Sequence, residues 1–548
     1  QGVPLMRITE QRNQPEALAD LVCFGMLGAR LFLSTHLWSF RKPDTPYSKH
    51  PQRLPGPLHG LPPPEICEIE LQHAAAECDI PVRVRLTRYP RRGSAQHPLV
   101  FIHGFSVSGT SFAHPALSPS MASYFWHLER DIWILDLRTS AGMPTATYPW
   151  AFEDVAWADI PVAIAHIVVQ VERERACAPG TIQADVFAHC IGAVMLSMAL
   201  LTDPESPQAK IQNLHYPNEL KALPGRIHRV VLSQKSFALS YSDANVLRAY
   251  LMRFLRRLVL PERYKFRPSP FPSMQDALTD MFLSSLPYPA DEYDRDNPPW
   301  WLPWKRTPWL STRHRMDALY EHTFNANNLS DKVLLAIDDL FGPLNTETVA
   351  QIIHFAKHQL IATREGHNIF VSDENLQQRW PQGGTLGLHN ADSRMVDPST
   401  LGLTEKWMRR AQIPYLKKSI PHAAHQDGLI GRNSKQTFQS VQEFLCLSTE
   451  QLAARQNQQD LTTDLQQGTA PAASALKKTA PLPNVPGALT KPWIGPRIQH
   501  ARNGSIQLLI GIHPAHAKSN AVAIPVKRDD ARASYRPAYP PAESYPVL

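Results

Sequence analysis

From Ile66 onward the chain falls into short apolar runs bounded by Gly, Pro, Asn and Asp, the pattern of β-strands buried on one or both faces. The runs that qualify are Ile66–His73, Val82–Thr87, Leu99–His103, Ile132–Leu137, Ala184–Ala188, Arg229–Ser233, Thr385–His389 and Pro414–Ile420. Between them lie stretches with helical spacing, notably Phe152–Arg173 and Ile191–Leu201. Strands alternating with helices of that length need crossover connections, so the pattern predicts a mostly parallel sheet covered on both faces. The alternation stops at Ser233 and resumes near Thr385. What lies between reads as helices with proline-rich joints: Asp243–Leu258, Ser273–Leu286 and Thr346–Ala362. An aromatic segment there carries Trp300, Trp301, Trp304 and Trp309, which either fill the insertion's own core or line an apolar pocket.

This patterning divides the chain into an N-terminal helical and proline-rich segment (1–64), a first part of the α/β core (65–233), a helical insertion expected to cover the catalytic face as a lid (234–380), and a second part of the core (381–447). A flexible linker rich in Gln, Ala, Thr and Ser follows (448–483), then a small or incomplete β-containing segment (484–548) with candidate strands Ser505–Ile512 and Ala521–Pro525. A length of 548 residues fits such a plan, because single cores stop growing at roughly 250–300 residues. The 50 prolines against 25 glycines place much of the chain in long connections.

The net charge of +7 is spread without a long basic block, which argues against a nucleic-acid partner. Leu18–Leu37 is apolar but contains Asp20, Arg30 and His36, so it reads as an amphipathic helix packed on protein rather than a transmembrane segment, membrane-surface docking being the alternative. The 6 cysteines show no CxxC spacing, which points to reduced thiols and a cytoplasmic setting. The start at Gln1, without methionine or a visible signal peptide, suggests a processed protein or a piece of a larger one.

The candidate chemistry begins at Ala184-Asp185-Val186-Phe187-Ala188-His189-Cys190-Ile191-Gly192-Ala193, where a buried strand runs into Cys190 and then a helix. A nucleophile on a sharp strand-to-helix turn needs small neighbours, and Ala188, Gly192 and Ala193 occupy those places. Phe101-Ile102-His103-Gly104-Phe105 ends a second strand in a His-Gly turn, where Phe105 and Ile191 would offer their N–H groups as an oxyanion hole and His103 is a packing residue. The loop after the last strand holds His422 and His425, either a candidate general base. The loop after the preceding strand holds Asp392 and, farther from the strand end, the alternative acid Asp397. A histidine partner and a helix N-terminus both favour a thiolate, so a Cys-His-Asp set would attack an ester or thioester through an acyl-thioester intermediate, which passes its acyl group to water, an alcohol or a thiol.

Four segments, Leu37-Trp38-Ser39-Phe40-Arg41-Lys42-Pro43-Asp44, Phe101–Phe105, Ala188–Gly192 and His425-Gln426-Asp427-Gly428-Leu429-Ile430-Gly431, together resemble the α/β-hydrolase module of large bacterial proteins that also carry a GMC-type, cholesterol-oxidase-like flavin oxidoreductase domain. The resemblance spans roughly residues 30–447, with a weaker echo at Trp493–Val526. It implies the α/β-hydrolase fold, His425 rather than His422 as the catalytic histidine, a lipid- or sterol-like ester as substrate and a fused or associated flavin oxidoreductase as partner. The elbow also resembles that of polyhydroxyalkanoate synthases and dienelactone hydrolases, which place cysteine there. No GxGxxG occurs in the chain, so neither a flavin nor any other cofactor or metal is implied within it, and the oxidoreductase domain would lie before Gln1. The leading expectation is a Cys-dependent acyl hydrolase or acyltransferase; the others are a catalytically silent module that binds a hydrophobic ligand or docks beside an oxidoreductase, and a polymer synthase.

Overall fold

In a computed structural model of the chain, an 8-stranded sheet forms around the apolar runs, in the order β1-β2-β4-β3-β5-β6-β7-β8. The strands are β1 (Glu65–Glu70), β2 (Arg83–Tyr89), β3 (Leu99–Ile102), β4 (Ile132–Asp136), β5 (Ala184–His189), β6 (Ile227–Ser233), β7 (Thr385–Asn390) and β8 (Tyr415–Ile420). The structure describes residues 51–72, 80–207, 214–241, 323–325, 328–345, 351–459, 494–500 and 506–512, with positions 245, 263–264, 316 and 348. The tryptophan segment, the N-terminal amphipathic stretch and the insertion helices Asp243–Leu258 and Ser273–Leu286 lie outside these residues, apart from Asn245.

Strands β3 to β8 run parallel, while β1 with β2 and β2 with β4 pair antiparallel. Every residue of β3, β4, β5 and β7 is buried, as expected of strands covered on both faces. This strand order, with β2 alone running against the other strands and helices between the parallel ones, is the α/β-hydrolase fold.

The long apolar helix read at Phe152–Arg173 is two helices, Phe152–Trp157 and Asp159–Glu174. Pro161 has no N–H to return to Trp157 and its ring crowds that carbonyl, which breaks the helix there. The break also lets buried Asp159 accept from Arg138 N–H at 2.8 Å and Nε at 2.7 Å. Phe152–Glu174 is, among the described residues, long and apolar enough to cross a membrane, but Ile160, Ala163, Ile164 and Ile167 are fully buried in this core.

Gln351–His358 is the described part of the helix expected at Thr346–Ala362. It is tied to the core at buried Glu153, which accepts from Gln351 Nε2 at 2.5 Å and from Arg364 N–H at 2.6 Å. Burial, reinforced by Asp154, pushes the Glu153 carboxyl up to about 7. An acid whose folded value is raised stabilises the fold fully below its unfolded value near 4.5 and loses that contribution as pH rises through about 7. The wild-type melting temperature should therefore fall more between pH 5.5 and 8 than that of Glu153→Gln, with an upper bound on the order of 3 kcal/mol. Parallel slopes for the two proteins would refute this.

Residues 466–548 form a separate unit from 1–465. Its described part is an antiparallel pair, Ile494–His500 with Ile506–Ile512. The second strand coincides with the run read at Ser505–Ile512; Ala521–Pro525 lies outside the described residues.

Candidate active site

The ends of β3, β5, β7 and β8 build the site. At the end of β5, Cys190 has φ 56° and ψ −126°, a left-handed conformation that a non-glycine residue holds only where its surroundings enforce it. The enforcement is visible. Cys190 N–H donates to Ser233 O at the end of β6 at 2.8 Å, and Ala193 N–H donates to Cys190 O at 3.0 Å. The helix Ile191–Leu201 starts at once and is buried along its whole length. Small residues are required for the reason anticipated: a Cβ on Gly192 would lie 2.3 Å from His103 O, and one on Gly104 would lie 2.9 Å from Cys190 Cβ and 3.6 Å from its Sγ.

The His103–Ser106 turn is thereby pressed against Cys190, with Ser106 also left-handed at φ 56°. Buried His103 donates from Nδ1 to Gly104 O at 2.6 Å and accepts from Leu137 N–H at Nε2 at 3.1 Å, which makes it a neutral structural imidazole. Phe105 follows, 5% exposed, its ring edge-on to Phe152 at 5.7 Å. Ile191 is the first residue of its helix, where the N–H has no intrahelical acceptor.

Of the two candidate histidines, His422 is exposed on a left-handed turn at φ 54°, whereas His425 is 1% exposed. The His425 loop is held from several sides. Asn390 Nδ2 donates to Ala424 O at 2.7 Å and to His425 O at 3.2 Å, and buried Asp427 accepts from Ala424 N–H at 2.9 Å and Asn325 N–H at 3.2 Å. The His425 ring lies 5.2 Å from that of His189, the residue preceding Cys190. Its Nε2 is buried with no hydrogen-bond partner among the described residues. Burial first, then the charges of His189, Lys235 and His389, holds the imidazole well below its ordinary value, so it is neutral at pH 7.

The hydrogen bond at His425 Nδ1 is made by Ser393 Oγ, at 3.2 Å. The sequence order points instead to Asp392, or alternatively Asp397, as the acid. Asp392 is half-buried and its N–H donates to Ala423 O at 3.0 Å, while Asp397 accepts from Ser399 N–H at 2.8 Å as a turn residue ahead of a helix.

Residues not anticipated surround this core. His189 donates to or accepts from Ser233 Oγ at 3.0 Å, and burial with the nearby Lys235 charge pulls it down to about 3. His389 has both ring nitrogens buried without a partner among the described residues, and burial pulls it down to about 4. Lys235 is 3% exposed. His189 is the last residue of β5, His389 the last but one of β7, and Lys235 follows β6; single polar residues there carry no periodic signal, and only their nearness to the predicted strand ends could flag them.

The described parts of the insertion reach the same face. Gly342 N–H donates to Ser106 O at 2.9 Å beside a bridge between Val107 and Phe341, and Gln426 N–H donates to Thr323 O at 2.8 Å. The insertion thus touches both the His103–Ser106 turn and the His425 loop.

No protein-family model and no curated protein matches the sequence. Solved structures do. Carboxylesterase CesB (YbfK) from Bacillus subtilis is 12% identical over 78% of this chain and 99% of its own, with a TM-score of 0.35. The peroxisomal α/β-hydrolase Lpx1 from Saccharomyces cerevisiae is 13% identical over 74% and 99%, with a TM-score of 0.35. A soluble variant of monoglyceride lipase from Saccharomyces cerevisiae is 11% identical over 74% and 97%, with a TM-score of 0.37. The class defined here rests on the sheet order and on the elbow geometry themselves.

Proposed function

We propose that this chain is an acyl hydrolase or acyltransferase that acts on an apolar ester or thioester through Cys190. The observation that supports it is the strained Cys190 turn, φ 56°, between the Gly104 loop and a helix N-terminus. Sγ attacks the carbonyl carbon while its proton passes to His425 Nε2 and on to the leaving oxygen or sulfur. The oxyanion is received by the N–H groups of Phe105 and Ile191. Water, or an acceptor alcohol or thiol, then attacks the thioester, gives its proton to His425 and releases the acyl product with Cys190 restored as a thiol. A lipid- or sterol-like substrate, and a flavin oxidoreductase as its neighbour, are supported by the sequence resemblance and by the tryptophans of the insertion.

A second reading, a module that binds an apolar ligand without turnover, is favoured by the Ser393 hydroxyl on His425, since a hydroxyl fixes an imidazole less strongly than a carboxylate does. Intact-protein mass spectrometry after incubation with p-nitrophenyl esters of several chain lengths separates the two. An acyl adduct present in the wild type and lost in Cys190→Ala supports the enzyme. No adduct and no p-nitrophenol release at any chain length would overturn it.

A further inference from the structure

We propose that a cavity between the ends of β6 and β7 and the helix Ser399–Arg410 binds one small monovalent anion of chloride size, held by Lys235, Ser236 and His389; this goes beyond the acyl-transfer reading and does not rest on it. The chain leaves β6 through Gln234, a left-handed residue at φ 72° whose N–H donates to Leu388 O at 2.7 Å and whose Oε1 accepts from Asn390 N–H at 3.1 Å. Pinned to β7 in this way, the chain turns Lys235 and Ser236 inward, 3% and 4% exposed. Both line the cavity together with His389, which is 1% exposed. The cavity's volume of about 10 Å³ suits a single water-sized occupant.

These three side chains can all donate, and none has an acceptor. Ser236 Oγ and both ring nitrogens of His389 are buried with no hydrogen-bond partner among the described residues. The Lys235 ammonium faces the Tyr241 ring, with Nζ 5.2 Å from the centroid, and among the described residues no carboxylate pairs with it or lines the cavity. The threonines on the helix side are already used: Thr400 Oγ1 accepts from Ser240 N–H at 2.9 Å, and Thr404 Oγ1 donates to Thr400 O at 2.9 Å. Asp397, whose charge reaches His389, accepts instead from Ser399 N–H at 2.8 Å. A buried ammonium is strongly unfavourable unless a counter-charge faces it, and an aromatic face offsets only part of that cost. Burial draws His389 down to about 4, so at neutral pH its ring keeps one N–H to give. A water in the cavity would leave the Lys235 charge uncompensated, whereas a monatomic anion neutralises it while accepting from the ammonium, the Ser236 hydroxyl and the His389 N–H.

The test is the melting temperature of the full chain in chloride-free buffer, titrated with sodium chloride or, at equal ionic strength, with sodium gluconate, whose anion is too bulky for the cavity. Wild type, Lys235→Met and Ser236→Ala are compared. Wild type should gain a saturating excess of at least about 2 °C in chloride over gluconate, because a ligand held only by the folded state stabilises it by mass action. The excess should vanish in Lys235→Met and require several-fold more chloride in Ser236→Ala. Equal curves for wild type in the two salts, the result for a water or an uncharged lysine, would overturn the proposal, and so would a full chloride excess in Lys235→Met. If Lys235→Met does not fold, wild-type crystals soaked in sodium bromide decide: an anomalous peak in contact with Lys235 Nζ supports the site, and none there overturns it. No arm requires turnover, so loss of the acyl-enzyme reading would leave the anion site standing.

Discussion

His425→Ala is expected to slow acylation of Cys190 by roughly 10²- to 10⁴-fold, the range a positioned general acid–base contributes, with little change in melting temperature. The imidazole is buried, and its loop is held by backbone bonds from Asn390 and to Asp427 that the substitution leaves intact. Stopped-flow release of p-nitrophenol, read beside the wild type, checks it; a loss under about threefold would remove His425 from the mechanism. The acid limb of the wild-type kcat/KM profile should lie below pH 6.5, because the neutral, active form of the imidazole persists below its ordinary value. The same assay on Ser393→Ala, Asp392→Asn and Asp397→Asn ranks the groups that orient it. The geometry expects Ser393→Ala to matter more than Asp397→Asn, whose carboxylate already caps Ser399.

The central strands β3, β4, β5 and β7 were legible because each is a run of buried residues, and buried runs leave little freedom in where a strand lies. Strand ends moved by one or two residues for most, and by three at the exposed edge strand β1, which ends at Glu70 rather than His73. The elbow was legible for a related reason: Gly192, two residues after Cys190, records a steric need that the backbone of His103 makes explicit. What escaped depends on which way a loop turns. Asp392 and Ser393 are adjacent, and residue type alone favours the acid; the bond from Asp392 N–H to Ala423 O sets the turn so that the serine reaches the imidazole. His422 and His425 differ likewise by exposure, which spacing does not record. The helix break at Ala158 was readable from Pro161 but was masked by an unbroken apolar stripe on both sides of it. The strand Ile494–His500 contains Gly495 and Pro496, residues that speak against a strand unless pairing with a neighbour supports it.

Gly192→Ala is expected to damage both stability and catalysis, although alanine is the better helix former by about 1 kcal/mol. The propensity gain is opposed by a clash with backbone, which cannot rotate away: the added methyl would stand 2.3 Å from His103 O and 3.0 Å from Ile102 O. Ordinary contact needs about 1 Å more, so the helix start must retreat from the oxyanion turn or the turn must move. Overpacking of this kind costs about 1–3 kcal/mol, enough to cancel the helical gain and leave a net loss. The catalytic effect should be larger than the stability effect implies. The helix start carries the Ile191 N–H and the turn carries that of Phe105, and a displacement of about 1 Å between reacting groups is enough to lower a rate by about 10²-fold. Melting temperature and single-turnover acylation, measured together, separate the two consequences: a destabilised variant with wild-type acylation would show that the two N–H groups do not act as a pair, and a variant unchanged in both would show that the helix has more room against His103 than the backbone positions allow.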